Sequence, residues 1–250
     1  MPRYKLIIEY DGTAFFGWQF QPNAITVQGV LEAAMAKLHG QPITVNGAGR
    51  TDTGVHALAQ VAHFDSPKPW ETFELVNAIN GNVRPHLVSV LSAEEVSPSF
   101  ESRFGAIKRR YLYRILNRRS PAALDKNKVW QVPTELNVDA MHEAAQYLLG
   151  QHDFTTFRAA ECQAASPIKT LDRLDVMRFD DMIEIRAEAR SFLHHQVRSI
   201  VGSLVRVGQG RWPVIEMKHA LEAKDRTRCG PVCPPDGLYL VEVVYGATPK

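Results

Sequence analysis

The 250 residues are 45% hydrophobic, 22% charged and 9% aromatic, which fits one large or two modest globular domains and excludes a disordered or fibrous chain. Twenty-nine Lys and Arg against 27 Asp and Glu leave a net charge of +2, too little to mark a nucleic-acid binder unless the charges are clustered. Three cysteines, Cys162, Cys229 and Cys233, exclude a disulfide framework and suggest a reducing compartment; with no second pair at ligand spacing, no structural zinc is expected.

Met1-Pro2-Arg3-Tyr4 runs straight into a strand, so no signal peptide is expected. No apolar run approaches the roughly 18 residues of a membrane span, and the expected location is cytoplasmic. The first strand is Tyr4–Tyr10, in which Tyr4, Leu6, Ile8 and Tyr10 alternate with polar positions, and Asp11-Gly12 marks a turn. Val27, Val30, Leu31, Ala34, Met35 and Leu38 recur at helical spacing, with Thr26 as cap and Gly40 as stop. Short strands at Ile43–Val45 and Gln60–Phe64 flank a glycine-rich stretch, and a helix (Thr72–Ile79) and a strand (Leu87–Leu91) complete a first lobe. A second lobe begins near Ile107 with a strand (Lys108–Leu116) and a helix (Val138–Leu149) capped by Asn137. A hairpin of Leu171–Arg178 and Met182–Arg190 turns at Asp180-Asp181. The stretch from Phe192 opens a helix on Leu193, Val197, Ile200, Val201, Leu204 and Val205, followed by a shorter helix (Val214–Leu221) and a closing strand (Leu238–Tyr245). Strands and helices mix without βαβ alternation. The fold class expected is therefore α+β, two lobes (1–105 and 106–250) of mostly antiparallel sheet with helices packed on one face.

Three stretches could carry chemistry. Gly47–His56 (GAGRTDTGVH) reads as a tight loop holding one carboxylate, Asp52, with Arg50 two residues before it. A neighbouring guanidinium keeps a carboxylate ionised, as a nucleophile requires; the plainer reading is an Asx turn tied to Arg50 by a local ion pair. Asp52-Thr53-Gly54 also spells the aspartic-protease triplet, but Arg50 beside it would spoil the proton that two such carboxylates must share. The second stretch, Arg103–Arg119, contains Arg103, Lys108, Arg109, Arg110, Arg114, Arg118 and Arg119 and no acidic residue. On a strand, Tyr111 and Tyr113 share one face and Arg110 and Arg114 the other. Interleaved cations and aromatics suit phosphates and a stacked base; a charged edge strand would look the same. The third, Phe192–Arg198, places His194, His195 and Arg198 at the head of an apolar helix, where adjacent histidines make a poor joint metal site and Arg198 needs a carboxylate partner such as Asp52. No P-loop lysine motif, Rossmann glycine triplet or GxSxG elbow is present.

Taken together these residues resemble the pseudouridine synthase superfamily over almost the whole chain. Tyr10-Asp11-Gly12-Thr13 and Phe16-Gly17-Trp18-Gln19 are similar to its opening, Gly49–His56 to its catalytic loop, and Arg109–Tyr113 to its second motif. Phe192–Gly202 and Gly237–Leu240 are similar to its later motifs. The resemblance implies Asp52 as nucleophile, Tyr111 as the base-stacking aromatic, Arg198 as partner of Asp52, and Leu238 as an apolar wall. Arg50 would also bind substrate, and Arg103, Arg109, Arg110 and Arg114 would contact tRNA. It implies isomerisation of uridine to pseudouridine at tRNA positions 38–40, on the 3′ side of the anticodon stem-loop. With it come a cleft between the lobes, a homodimer, and no metal, redox or nucleotide cofactor. A non-catalytic RNA-binding protein on the same scaffold, with Asp52 structural, is the alternative.

Overall fold

A computed structural model describes residues 1–246. Two units emerge, Met1–Ile107 together with the chain from Tyr239 onward, and Lys108–Leu238. The first begins with β1 (Arg3–Tyr10), whose alternation buries Tyr4, Leu6, Ile8 and Tyr10 on one face. Next comes α1 (Val27–His39), capped as the sequence reads: the Thr26 side chain accepts from Gly29 N, and Gly40 ends the helix in the left-handed conformation. β2 (Asn46–Gly47) and β3 (His56–Asp65) follow, then α2 (Thr72–Asn82) and β4 (Val88–Val96). β1 pairs antiparallel with both β3 and β4, and its register with β3 slips by one residue between Ile8↔Gln60 and Tyr10↔Ala57. Buried Val27, Leu31 and Met35 of α1 and Leu75 and Ile79 of α2 complete this core.

The second unit opens at Lys108, within β5 (Ala106–Leu116). It continues through β6 (Trp130–Gln131), α3 (Val138–Gln146), β7 (Gly150–Asp153), β8 (Ile168–Phe179), β9 (Met182–Ala189), α4 (Gln196–Gly208) and α5 (Glu216–Ala223). Here the sheet order is β5-β9-β8-β7, all antiparallel, with β6 parallel to the end of β5. Met141, Ala144 and Ala145 of α3 and Ile200, Val201 and Leu204 of α4 are buried, as are Tyr113, Ile115, Val176, Ile183 and Ile185 of the strands.

Several expectations need correction. The final strand, β10 (Leu238–Tyr245), belongs from Tyr239 onward with the first unit, where Tyr239 and Leu240 pair in parallel with His56 and Ala57 of β3; an apolar strand does not say which strands it joins. Ile43–Val45 is irregular, and the short strand beside it is β2. α2 runs past Ile79 to Asn82, and Asn80 in that extra turn brackets Val90 of β4 with both amide atoms (2.9 and 2.8 Å). α3 ends at Gln146, three residues early. His194 and His195 precede α4 and do not open it; His195 has φ 60°.

Candidate active site

Asp52 lies on a tight turn. Its carbonyl accepts from Val55 N (3.1 Å), and the third residue of the turn is Gly54 with φ 81°, the pattern of a type II turn. Three bonds clamp this loop to the end of β1 and the segment that follows it. Trp18 N donates to Thr51 O (3.1 Å), Gly54 N donates to Phe15 O (3.3 Å), and the Tyr10 and Thr51 hydroxyls share a buried bond of 2.8 Å. A Cβ on Gly17 would lie 2.6 Å from Thr51 O, so glycine is what lets the two segments close. On the other flank, Gln60 Nε2 donates to Gly49 O (2.9 Å) and Ala48 N to Val61 O (2.7 Å). Buried His56 takes a bond from Gly12 N at Nδ1 (3.0 Å) and stacks on Tyr239 at 4.7 Å. Residues 10–18, in the sequence only the likeness of a family opening, are the frame of the loop.

Within that frame the Asp52 side chain is half-buried and Arg50 is exposed. The local ion pair between them does not form, since Arg50 makes none among the described residues. The buried Thr51 anchor separates them, and the chain turns immediately after it. Arg50 is left as an exposed cation two residues from the carboxylate.

The basic strand is β5, and its pairing changes its reading. Tyr111 is half-buried and stands edge-on to Phe192, with centroids 5.2 Å apart and planes at 88°, a pairing of the second stretch with the first residue of the third. Arg109, expected to contact tRNA, is only 9% exposed and donates to the Arg190 carbonyl. Parity is the reason: residue 109 shares the face of Tyr111 and buried Tyr113. On the opposite face, Lys108 and Arg110 both bind Glu188 of β9, Arg110 Nε at 2.6 Å. Burial pushes the Glu188 carboxyl up, but the two cations outweigh it and hold the group below its ordinary value. The acid missing from the sequence stretch thus arrives from the neighbouring strand. Arg114 lies opposite Glu184, whose carboxylate is taken by Arg186 (2.9 Å), and makes no ion pair among the described residues. Arg103, in the first unit, is exposed and lies over the Phe104 ring at 5.4 Å.

Arg198 is held by its own unit. Its Nε donates to Cys233 O (2.9 Å), and Cys233 N donates to Arg198 O (3.2 Å). The segment 229–234 reaches α4 because Gly202 has no side chain; a Cβ there would sit 1.7 Å from Pro231 O. Ser203 Oγ accepts from Gly230 N (3.0 Å), and the Tyr113 hydroxyl donates to Pro234 O (2.7 Å). Burial pushes the Tyr113 phenol well above its usual value and the Cys233 thiol up to about 12, so Cys233 is a structural thiol. Leu238 is buried at the start of β10.

A family model described as tRNA pseudouridine synthase matches residues 6–105 and 144–246. Proteins called tRNA pseudouridine synthase A from Afipia carboxidovorans, Rhodopseudomonas palustris (strain HaA2) and Xanthobacter autotrophicus are 61%, 62% and 59% identical to this chain over 245 residues. Each comparison covers 98% of this chain and 100% of the relative. Among the described residues no helix is long and apolar enough to cross a membrane.

Proposed function

The chain belongs to the tRNA pseudouridine synthase family and isomerises uridine to pseudouridine in tRNA, and from that premise we propose that Asp52 is its nucleophile, acting on neighbouring uridines of the anticodon stem-loop. The observation that carries this is the clamped turn. A half-exposed carboxylate on a backbone fixed from both flanks is placed before substrate arrives, which is what covalent catalysis requires.

The reaction breaks the bond from ribose C1′ to uracil N1, turns the base, and joins C1′ to C5; N1 gains a proton and C5 loses one. No electrons enter or leave. Attack at C6 of the base and attack at C1′ of the sugar both need an ionised carboxylate. Tyr111, braced by Phe192, offers a stacking face for the loosened uracil, a contact worth about 1–3 kcal/mol. Arg198 as the charge partner of Asp52 and Leu238 as an apolar wall rest on the resemblance, as do the homodimer and the absence of a cofactor, while the cytoplasmic location rests on the sequence reading alone. For the tRNA backbone the reading favours Arg50, Arg103 and Arg114, and it withdraws Arg109, whose guanidinium is turned inward.

The test is tritium release from tRNA carrying 5-tritiated uridine, with chelator present. Wild type should release tritium and Asp52→Asn should not, while still binding tRNA. Release by Asp52→Asn would remove it as nucleophile.

A further inference from the structure

The segment that clamps the Asp52 turn carries an apolar face that the fold does not use. Phe16 stands between the clamp bonds of Phe15 and Trp18 and is 57% exposed. Ile25, whose carbonyl accepts from Phe16 N (2.9 Å), is 52% exposed, and Phe20, equally exposed, flanks Gly29 at the start of α1. The loop is well braced. Gln21 Nε2 donates to Phe16 O (2.9 Å), Gln21 and Ala24 form a bridge, and Phe20 N donates to Gln28 Oε1 (2.9 Å). Large apolar side chains held in solvent on a braced loop mark a binding surface.

We infer that Phe16, flanked by Ile25, is a wedge that enters the RNA stack beside the target uridine and holds the gap open once that base has turned out towards Asp52. The inference rests on Asp52 as nucleophile and goes beyond it. A uridine in a stem must leave its stack before any carboxylate can reach it, which has an energetic cost. Apolar side chains offset such a cost by filling the space between base planes. Position argues for RNA over a second protein: Phe15 and Trp18, on either side of Phe16 in the chain, are joined by backbone hydrogen bonds to Gly54 and Thr51 of the loop that bears Asp52. A protein seated there would occupy the surface that the substrate has to approach.

The test compares two substrates. Single-turnover rates are measured on an anticodon-arm RNA with the target uridine paired, and on the same RNA with a mismatch opposite it, where unstacking is cheaper. Phe16→Ala should slow the paired substrate about ten-fold and the mismatched one less than about three-fold. Ile25→Ala should show a weaker form of the same pattern, and Phe16→Leu should restore much of the rate. Because Phe16 is more than half exposed, Phe16→Ala should melt like wild type. Equal slowing on both substrates, or none on either, would overturn the wedge. Equal slowing together with a changed oligomeric state would assign the face to a protein contact instead. Activity in Asp52→Asn would remove the nucleophile while leaving the paired-to-mismatched comparison for Phe16 readable.

Discussion

His63 shows how a single side chain ties the frame of the candidate site to pH. It is buried in β3, takes a hydrogen bond from Ser102 N at Nδ1 (3.2 Å), and lies 3.8 Å from Glu101. Burial lowers its pKa below the ordinary 6.5, against the pull of Glu101 and Asp65 and with help from Arg3. The folded state therefore prefers the neutral ring. Above the unfolded value both states are neutral and nothing is lost; as pH falls through about 6.5 the unfolded chain takes the proton more readily and stability declines. Thermal melts between pH 7.5 and 5 (about two units around that value) should show this decline in wild type, and His63→Gln should lessen it, leaving the share of His39, whose pKa burial also lowers. An equal decline in the variant would mean other groups cause it. Asp65, held low chiefly by its hydrogen bond to Arg3, acts below its ordinary 3.8 and leaves this window clear. Tyr111 permits a second test at this scale. If its phenol takes the C5 proton, Tyr111→Phe keeps the stacking ring, binds tRNA as wild type does, and loses tritium release; unchanged release would assign the proton to another group.

Two glycines in helices have opposite expected effects, because their surroundings differ while their secondary structure does not. Gly202 in α4 faces Pro231 O, 1.7 Å from where a Cβ would stand. Gly202→Ala must separate the helix from the segment whose Cys233 carbonyl holds Arg198. The cost expected for such overpacking is about 1–3 kcal/mol, read by urea denaturation, with activity falling further than stability alone explains. Gly81 in α2 has open space around it, so Gly81→Ala should gain about 0.5–1 kcal/mol. A gain at Gly202 or a loss at Gly81 would show that these helices are seated differently. Legibility in the sequence divides along the same line. Elements with strong period-2 or period-3.6 patterns and local caps, such as β1, α1, β5 and the β8–β9 hairpin, could be read directly. β7 (GQHD) and β6 are polar or two residues long and exist only because a neighbouring strand pairs with them. Asp52 was legible as the one carboxylate of a glycine-rich loop. Its clamp by Phe15 and Trp18, and the capture of Lys108 and Arg110 by Glu188, depend on register and contacts far apart in sequence. The inward turn of Arg109 was implicit in its parity with Tyr111, but the surrounding run of cations obscured it.

At the scale of the molecule, a net charge of +2 has to hold a polyanion, so the distribution of unpaired cations decides binding. Counting Lys and Arg along Arg103–Arg119 overstates the surface, because one residue of the run is buried and two share a carboxylate. Arg50 and Arg114, with no ion pair among the described residues, are the two cations of the proposed RNA surface that no carboxylate neutralises in the free protein. Affinity for tRNA should fall steeply with salt, and Arg50→Gln and Arg114→Gln should each reduce the slope of log affinity against log salt by about one. Arg110→Gln should change it less, since Glu188 already neutralises that guanidinium in the free protein, and Lys108 remains to hold the carboxylate. Measuring all three slopes separates two states of the bound enzyme. If Arg110→Gln reduces the slope as much as Arg114→Gln does, the pair with Glu188 opens on binding and phosphate replaces the carboxylate. If it does not, Glu188 keeps Arg110 in its ion pair while the RNA is bound.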